Sequence, residues 1–161
     1  MISMLRIDER LIHGQVAVAW TKSLRITHIV VINDEISKIE MQKQILKMAA
    51  PPNVKVAIKD IEGGLQLLKD PRTKDLNILV VVKNVKDAYT IVQKFDDIKV
   101  VNIGNCGFFA KEKECKEFSK YVRLTEEDIS LLKQINNKIP VEMQITPEFK
   151  AVNFEKMMKG E

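Results

Sequence analysis

The chain has 161 residues, 45% of them hydrophobic and 30% charged, with a net charge of +4. That length suits one domain, residues 1–161, with one sizeable core, and no apolar run approaches the ~20 residues of a membrane-spanning helix. The basic excess is interleaved with acids, as in Lys111-Glu112-Lys113-Glu114, which reads as a solvated face and argues against a nucleic-acid partner.

In chain order, β-branched runs alternate with helical patterns. A strand is predicted at 3–8 and a helix at 14–22, then a strand at 25–33 and a helix at 37–49. Strands at 54–58 and 77–83 bracket a helix at 60–69, and a helix at 85–94 leads to a strand at 99–103. A strand at 121–124, a helix at 126–137, a strand at 141–145 and a helix at 147–158 complete the chain. Ser37-x-x-Glu40 and Thr125-x-x-Asp128 resemble capping boxes, in which a hydroxyl accepts from the open amides of the first turn. Thr146-Pro147 would put proline at a first helical position, and Pro51-Pro52 ends the helix that carries Ile39, Ile45 and Met48. Several strands are apolar almost throughout, as when helices cover both faces of a parallel sheet. The expected fold is an open, mostly parallel, doubly wound α/β sheet of about seven strands with helices on both faces.

Ligands of such sheets sit beyond the carboxyl ends of the strands. Three loops fall there: the one containing His13 after the first strand, Asn33-Asp34-Glu35 after the second, and Gly104-Asn105-Cys106-Gly107 after the fifth. A nucleotide site is not indicated, because neither G-x-x-x-x-G-K-[ST] nor a G-x-G-x-x-G after the first strand is present. Cys106 and Cys115 have no C-x-x-C spacing and no clustered histidines, so free thiols are expected and no metal. His28, flanked by Ile26, Thr27, Ile29 and Val30, reads as a structural strand residue. Asp34-Glu35 reads as charge at a helix start, and Cys106 has no basic neighbour to activate it.

His13 has more in its favour. A neutral imidazole is a nucleophile, and a phosphorylated one is a good leaving group when protonated. Gly14 lets an anion or a partner backbone come close, helix amides favour a dianion, and Arg10 offers a planar fork for phosphate oxygens. A histidine that merely caps a strand end beside a solvated Arg10 is the alternative on pattern alone.

The stretch Arg6-Ile7-Asp8-Glu9-Arg10-Leu11-Ile12-His13-Gly14-Gln15-Val16 resembles the signature loop of the IIB subunits of the mannose/fructose/sorbose family of the phosphoenolpyruvate-dependent sugar phosphotransferase system. The likeness continues through Trp20-Thr21-Lys22, Asn33-Asp34-Glu35, Ala50-Pro51-Pro52 and Val101-Asn102-Ile103-Gly104, covering essentially the whole chain. The resemblance implies a cytoplasmic phosphocarrier, peripherally associated with a membrane permease and needing no cofactor. His13 would accept a phosphoryl group, on Nδ1, from phosphohistidine of a IIA subunit. It would then pass it to a sugar carried by the IIC and IID membrane subunits. Arg10 and Asp8 fall on the family's supporting arginine and aspartate, with Arg6, Gly14 and Gln15 completing the phosphate-binding and supporting set. Asp8 is left with two roles, orienting Arg10 or bonding the imidazole. A weak homodimer stays open. One departure is that Asn105 and Cys106 follow Gly104, where family members often have paired glycines. The rival reading is a phosphohistidine module that regulates or binds without sugar transfer.

Overall fold

A computed structural model describes residues 1–108 and 114–160 of the chain; Lys111, Glu112 and Lys113 of the expected solvated alternation lie outside them. In chain order the elements are β1 (Ile2–Asp8), α1 (Gly14–Ser23), β2 (His28–Ile32), α2 (Glu40–Ala49), β3 (Lys55–Lys59), α3 (Ile61–Lys69), β4 (Ile78–Val82) and α4 (Val85–Lys94). Then come β5 (Val101–Asn105), β6 (Lys116–Ser119), β7 (Val122–Leu124), α5 (Glu126–Asn136), β8 (Val141–Met143), β9 (Val152–Asn153) and α6 (Phe154–Lys159).

Seven strands form one sheet in the order β3-β2-β4-β1-β5-β8-β9. All its pairs are parallel except β8–β9. The expected mixed, mostly parallel sheet is present, with some different members. Residues 122–124 leave the sheet and pair antiparallel with β6 as a separate two-stranded ribbon. The vacant place is taken by β9, within the stretch expected to be helical from 147. Pro147 starts no helix; α6 begins at Phe154, where the Asn153 side chain accepts from the Lys156 amide. The second strand begins three residues later than expected, because Arg25 turns the chain at φ 54°. The Ser37 capping box does not form either. Residues 36–38 make a tight 3₁₀ turn, the Ser37 hydroxyl donates to the Asp34 carbonyl, and α2 starts at Glu40. The Thr125–Asp128 box is complete in both directions.

Alternation along the strands builds two cores. Met4, Ile29, Val31, Leu79 and Val81 meet Ala17 and Trp20 of α1 and Leu46 of α2 on one face. Leu5, Ile7, Val30, Ile32 and Val80 meet α3, α4, α5 and α6 on the other. The central β1 is therefore followed by a helix on one face, while β4 is followed by α4 on the opposite face and β5 leads through the β6–β7 ribbon to α5 on that same opposite face. Connections diverge at that point and leave a crevice at the carboxyl end of β1. The loop 9–13 fills it.

Candidate active site

Tight local bonding shapes this loop. The Leu11 amide donates to the Asp8 carbonyl at 3.0 Å and the Arg10 amide to Asp8 Oδ1 at 2.9 Å. Leu11 takes a left-handed conformation, φ 61°, unusual for a branched side chain. The buried apolar side chains of Leu11 and Ile12 anchor it in the α1–α2 core. Pinned by these two residues, the chain delivers His13 to the start of α1 in an extended conformation. Gly14 follows at φ 42°, with nothing within 4 Å of where a Cβ would stand. Glycine serves the backbone here, and the space beside the imidazole is open.

His13 Nε2 lies 3.0 Å from Asp8 Oδ2. A carboxylate only accepts, so this bond forms with the proton on Nε2, which in the neutral ring leaves the lone pair on Nδ1. Of the two partners the sequence left open for Asp8, one oxygen binds the imidazole, and the other binds the main-chain amide of Arg10 rather than its guanidinium. The His13 side chain is 25% exposed, while that of Asp8 is completely buried. Beside the ring, α1 has no side-chain cap and no acid in its first turn. Side chains of Asp60, Asn84, Thr125 and Asn153 cap α3, α4, α5 and α6. The first amides of α1 are donors next to the His13 ring, at the positive end of the helix dipole.

Behind Asp8 stands Arg6, 2% exposed. Its Nη2 donates to Asp8 Oδ2 at 3.1 Å and its Nη1 to Asn102 Oδ1 at 2.6 Å and the Gln144 carbonyl at 3.1 Å. The Trp20 ring covers the guanidinium at 5.7 Å. Burial lowers the Arg6 pKa, and the charge and hydrogen bond of Asp8 oppose that shift. Of the contact and support grouped for Arg6 at the sequence level, its geometry is that of support. Gly104 belongs to the same arrangement, because a Cβ there would land on the guanidinium. Gly104→Ala is expected to cost roughly 1–3 kcal/mol, the range for overpacking a filled core, measured by urea unfolding against wild type.

Arg10 is exposed, with only its main chain tied to Asp8. It borders a groove of about 240 Å³ with Leu11, Ile36 and Ile45. Gln15 is exposed on the first turn of α1. Of the three loops expected at one rim, two meet there. Glu9 accepts from the Gly107 and Phe108 amides at 2.6 and 3.1 Å, tying the histidine loop to the segment after β5. Residues 33–35 turn away: Asp34 accepts from the Ile61 amide and lines a separate groove of about 690 Å³ along α3. Cys106 is buried, and burial, with the negative charges of Asp128 and Glu9, pushes its thiol up, so no thiolate is available. Among the described residues no cluster of ligating side chains is placed to hold a metal.

The sequence reading passed over Asn102 and Glu9 as site residues. Asn102 left a signal, a polar residue in the buried run Val101-Asn102-Ile103; Glu9 left none beyond its neighbourhood.

Fold and site together define a class: a parallel α/β domain presenting an aspartate-bonded histidine at the switch point of its sheet. Residues 2–161 match the family model described as PTS system sorbose subfamily IIB component, and the chain belongs to that family. It is 46% identical over 111 residues to a probable phosphotransferase enzyme IIB component of Streptococcus pyogenes, covering 69% of this chain and 68% of that one. It is 30% identical over 136 residues to the mannose-specific EIIAB component of Escherichia coli K12, covering 84% of this chain and 41% of that one. The crystal structure of the IIBSor domain of the sorbose permease from Klebsiella pneumoniae superposes with a TM-score of 0.89. Its identity is 27%, with coverage of 99% of this chain and 96% of that one. The chain is therefore a phosphotransferase IIB component, a phosphocarrier domain of a sugar phosphotransferase system.

Proposed function

We propose that His13 carries the phosphoryl group, taking it from phosphohistidine of a IIA subunit and giving it to a sugar held by IIC and IID membrane subunits. The observation that carries this reading is the 3.0 Å contact between His13 Nε2 and Asp8 Oδ2. With Nε2–H engaged, the Nδ1 lone pair attacks phosphorus as the donor's N–P bond breaks, and the new phosphoimidazole is a cation whose proton stays on Nε2, hydrogen-bonded to Asp8. In the second step a sugar hydroxyl oxygen attacks, the Nδ1–P bond breaks, and the ring returns to neutral with the same proton in place. The hydroxyl proton is lost on the acceptor's side. This ring therefore needs no proton exchange in either step, and good geometry with charge stabilisation carries the barrier.

The surroundings support it. The open amides of α1 are donors for phosphoryl oxygens, and His13 stands at a rim that two proteins can reach in turn. The IIA partner is supported by the EIIAB relative, whose name joins the two components. A cytoplasmic carrier docking on membrane subunits is in keeping with the described residues, none of whose helices is long and apolar enough to cross a membrane.

The test is incubation with phosphoenolpyruvate, the general phosphotransferase proteins and a cognate IIA. One acid-labile phosphate on Nδ1 of His13 is expected, read by mass spectrometry and ³¹P NMR. Phosphate on Nε2 or elsewhere overturns the reading.

Arg10→Lys separates transfer from simple anion binding. Lysine keeps the charge and loses the planar fork that spans two phosphoryl oxygens. Losing one donor aimed at the charge that develops in the transition state costs ~10²–10³ in rate. Arg10 is exposed and bonds Asp8 through its main chain, so stability should move by no more than ~0.5 kcal/mol. Rapid-quench transfer from phosphorylated IIA, with thermal melts, checks both numbers.

A further inference from the structure

The carboxylate that holds His13 is itself held, through Arg6, by groups from β5, from the segment after β8 and from α1. Arg6 on β1 stands in register with Asn102 on β5, and Asn102 with Glu142 on β8. Asn102 is fully buried and supplies the shortest of the Arg6 contacts, 2.6 Å. The segment after β8 adds the Gln144 carbonyl at 3.1 Å, and the Ile145 carbonyl accepts from Trp20 Nε1 at 2.9 Å, fixing the ring that covers the guanidinium. Three acceptors thus lock a planar donor whose remaining face is closed by Trp20 and whose other side admits only Gly104. A buried ion pair is a weak device for stability, because apolar residues of similar size often do as well. Here it ends on the carboxylate oxygen that bonds His13 Nε2.

We propose that Arg6 and Asn102 are positioning residues, acting through Asp8 to keep His13 in its Nε2–H tautomer with Nδ1 as the only nucleophilic nitrogen. The inference rests on the phosphocarrier reading of His13 for its consequence, and on the geometry alone for its cause. Without the Asn102 oxygen, Nη1 keeps only the longer bond to the Gln144 carbonyl, and the guanidinium pivots about it. Asp8 Oδ2 follows its partner, the imidazole loses its anchor, and the proton spreads over both nitrogens. Small misplacements of this kind are costly in transfer reactions.

The experiment uses ¹⁵N-labelled histidine in the intact protein. Long-range ¹H–¹⁵N spectra should give one Nε2–H tautomer for His13 in wild type. Asn102→Ala should give a mixture of tautomers and transfer from phosphorylated IIA that is ~10–100-fold slower, the usual effect of removing a group that orients a reactive one. Near-UV circular dichroism should stay that of the folded protein. Asn102→Asp, of the same shape, draws the guanidinium off Asp8 by adding a second carboxylate, and should shift the tautomer the same way; it serves if the alanine variant does not fold. A mixed tautomer in wild type overturns the proposal, as does a folded variant that is slow with the wild-type tautomer or unchanged in both. If the tautomer responds while His13 takes no phosphate, the positioning stands and the phosphocarrier reading of His13 fails.

Discussion

His13→Ala is expected to abolish phosphorylation by the donor chain, whereas His28→Ala keeps the full single phosphate. The two imidazoles sit at opposite ends of the parallel strands. His13 lies past the carboxyl end of β1, and His28 is the first residue of β2, parallel to it through β4. A five-residue strand at ~3.3 Å per residue puts them roughly 15 Å apart along the strands alone. A donor docked on one end does not reach the other. His28 also engages Nδ1 with the Thr27 hydroxyl at 2.8 Å. The alanine variant at His13 should stay folded, losing about 1 kcal/mol, because Asp8 keeps its bonds to Arg6 and the Arg10 amide. Radiolabelled phosphoenolpyruvate, with a melt of each variant, gives the result; label surviving the loss of His13 would falsify the assignment.

Asp8→Asn should be nearly as severe, and should destabilise as well. Three donors converge on this side chain: Arg6 Nη2 and His13 Nε2 on one oxygen, the Arg10 amide on the other. An amide has one oxygen and one NH₂, so one of those positions must place donor against donor. If the NH₂ faces the Arg10 amide, the turn opens. If it faces Arg6 and His13, the ring escapes only by presenting a bare Nε2, which moves the proton to Nδ1 and removes the nucleophile. Exchanging the orienting carboxylate of a reactive histidine for an amide costs ~10⁴ in serine proteases through this change of tautomer, and a loss of ~10³ or more in transfer rate is expected here. The variant also leaves Arg6 buried without a counter-charge, a loss of about 3–5 kcal/mol. Single-turnover transfer and urea unfolding measure the two separately. A stable variant with a wild-type rate would remove Asp8 from the site.

Much of the fold was legible because its signals are local. The Thr125-x-x-Asp128 box forms as written, since four consecutive residues contain every group it needs. Ile78-Leu79-Val80-Val81-Val82 is a buried central strand, as a run apolar on both faces must be. Ser37-x-x-Glu40 carried the same local pattern and failed, because Asn33 bonds the Ile36 amide and the chain turns first. The last expected helix failed for a similar reason. Its middle residues Val152 and Asn153 pair as β9 with Met143 and Glu142 of β8, an interaction between residues nine and eleven positions apart that helical periodicity does not register. Ile45 and Met48 of α2 are exposed, and Leu46 is the residue that packs.

The sequence by itself determined the reactive group and its neighbourhood. Asp8, Arg10, His13 and Gly14 lie within seven consecutive residues, and the strand, turn and helix start that arrange them are set by short-range sterics and hydrogen bonds. Only the tertiary structure decided what stands behind them. Arg6 reads in the sequence as another cation of the loop. It is buried because Asn102, the Gln144 carbonyl, Trp20 and the bare backbone of Gly104 come from three other elements to enclose it. Those residues are between 14 and 138 positions away along the chain. A guanidinium becomes a fixed internal counter-charge only when parallel strand pairing has put its acceptors in register, and that pairing is written in no single stretch of the chain.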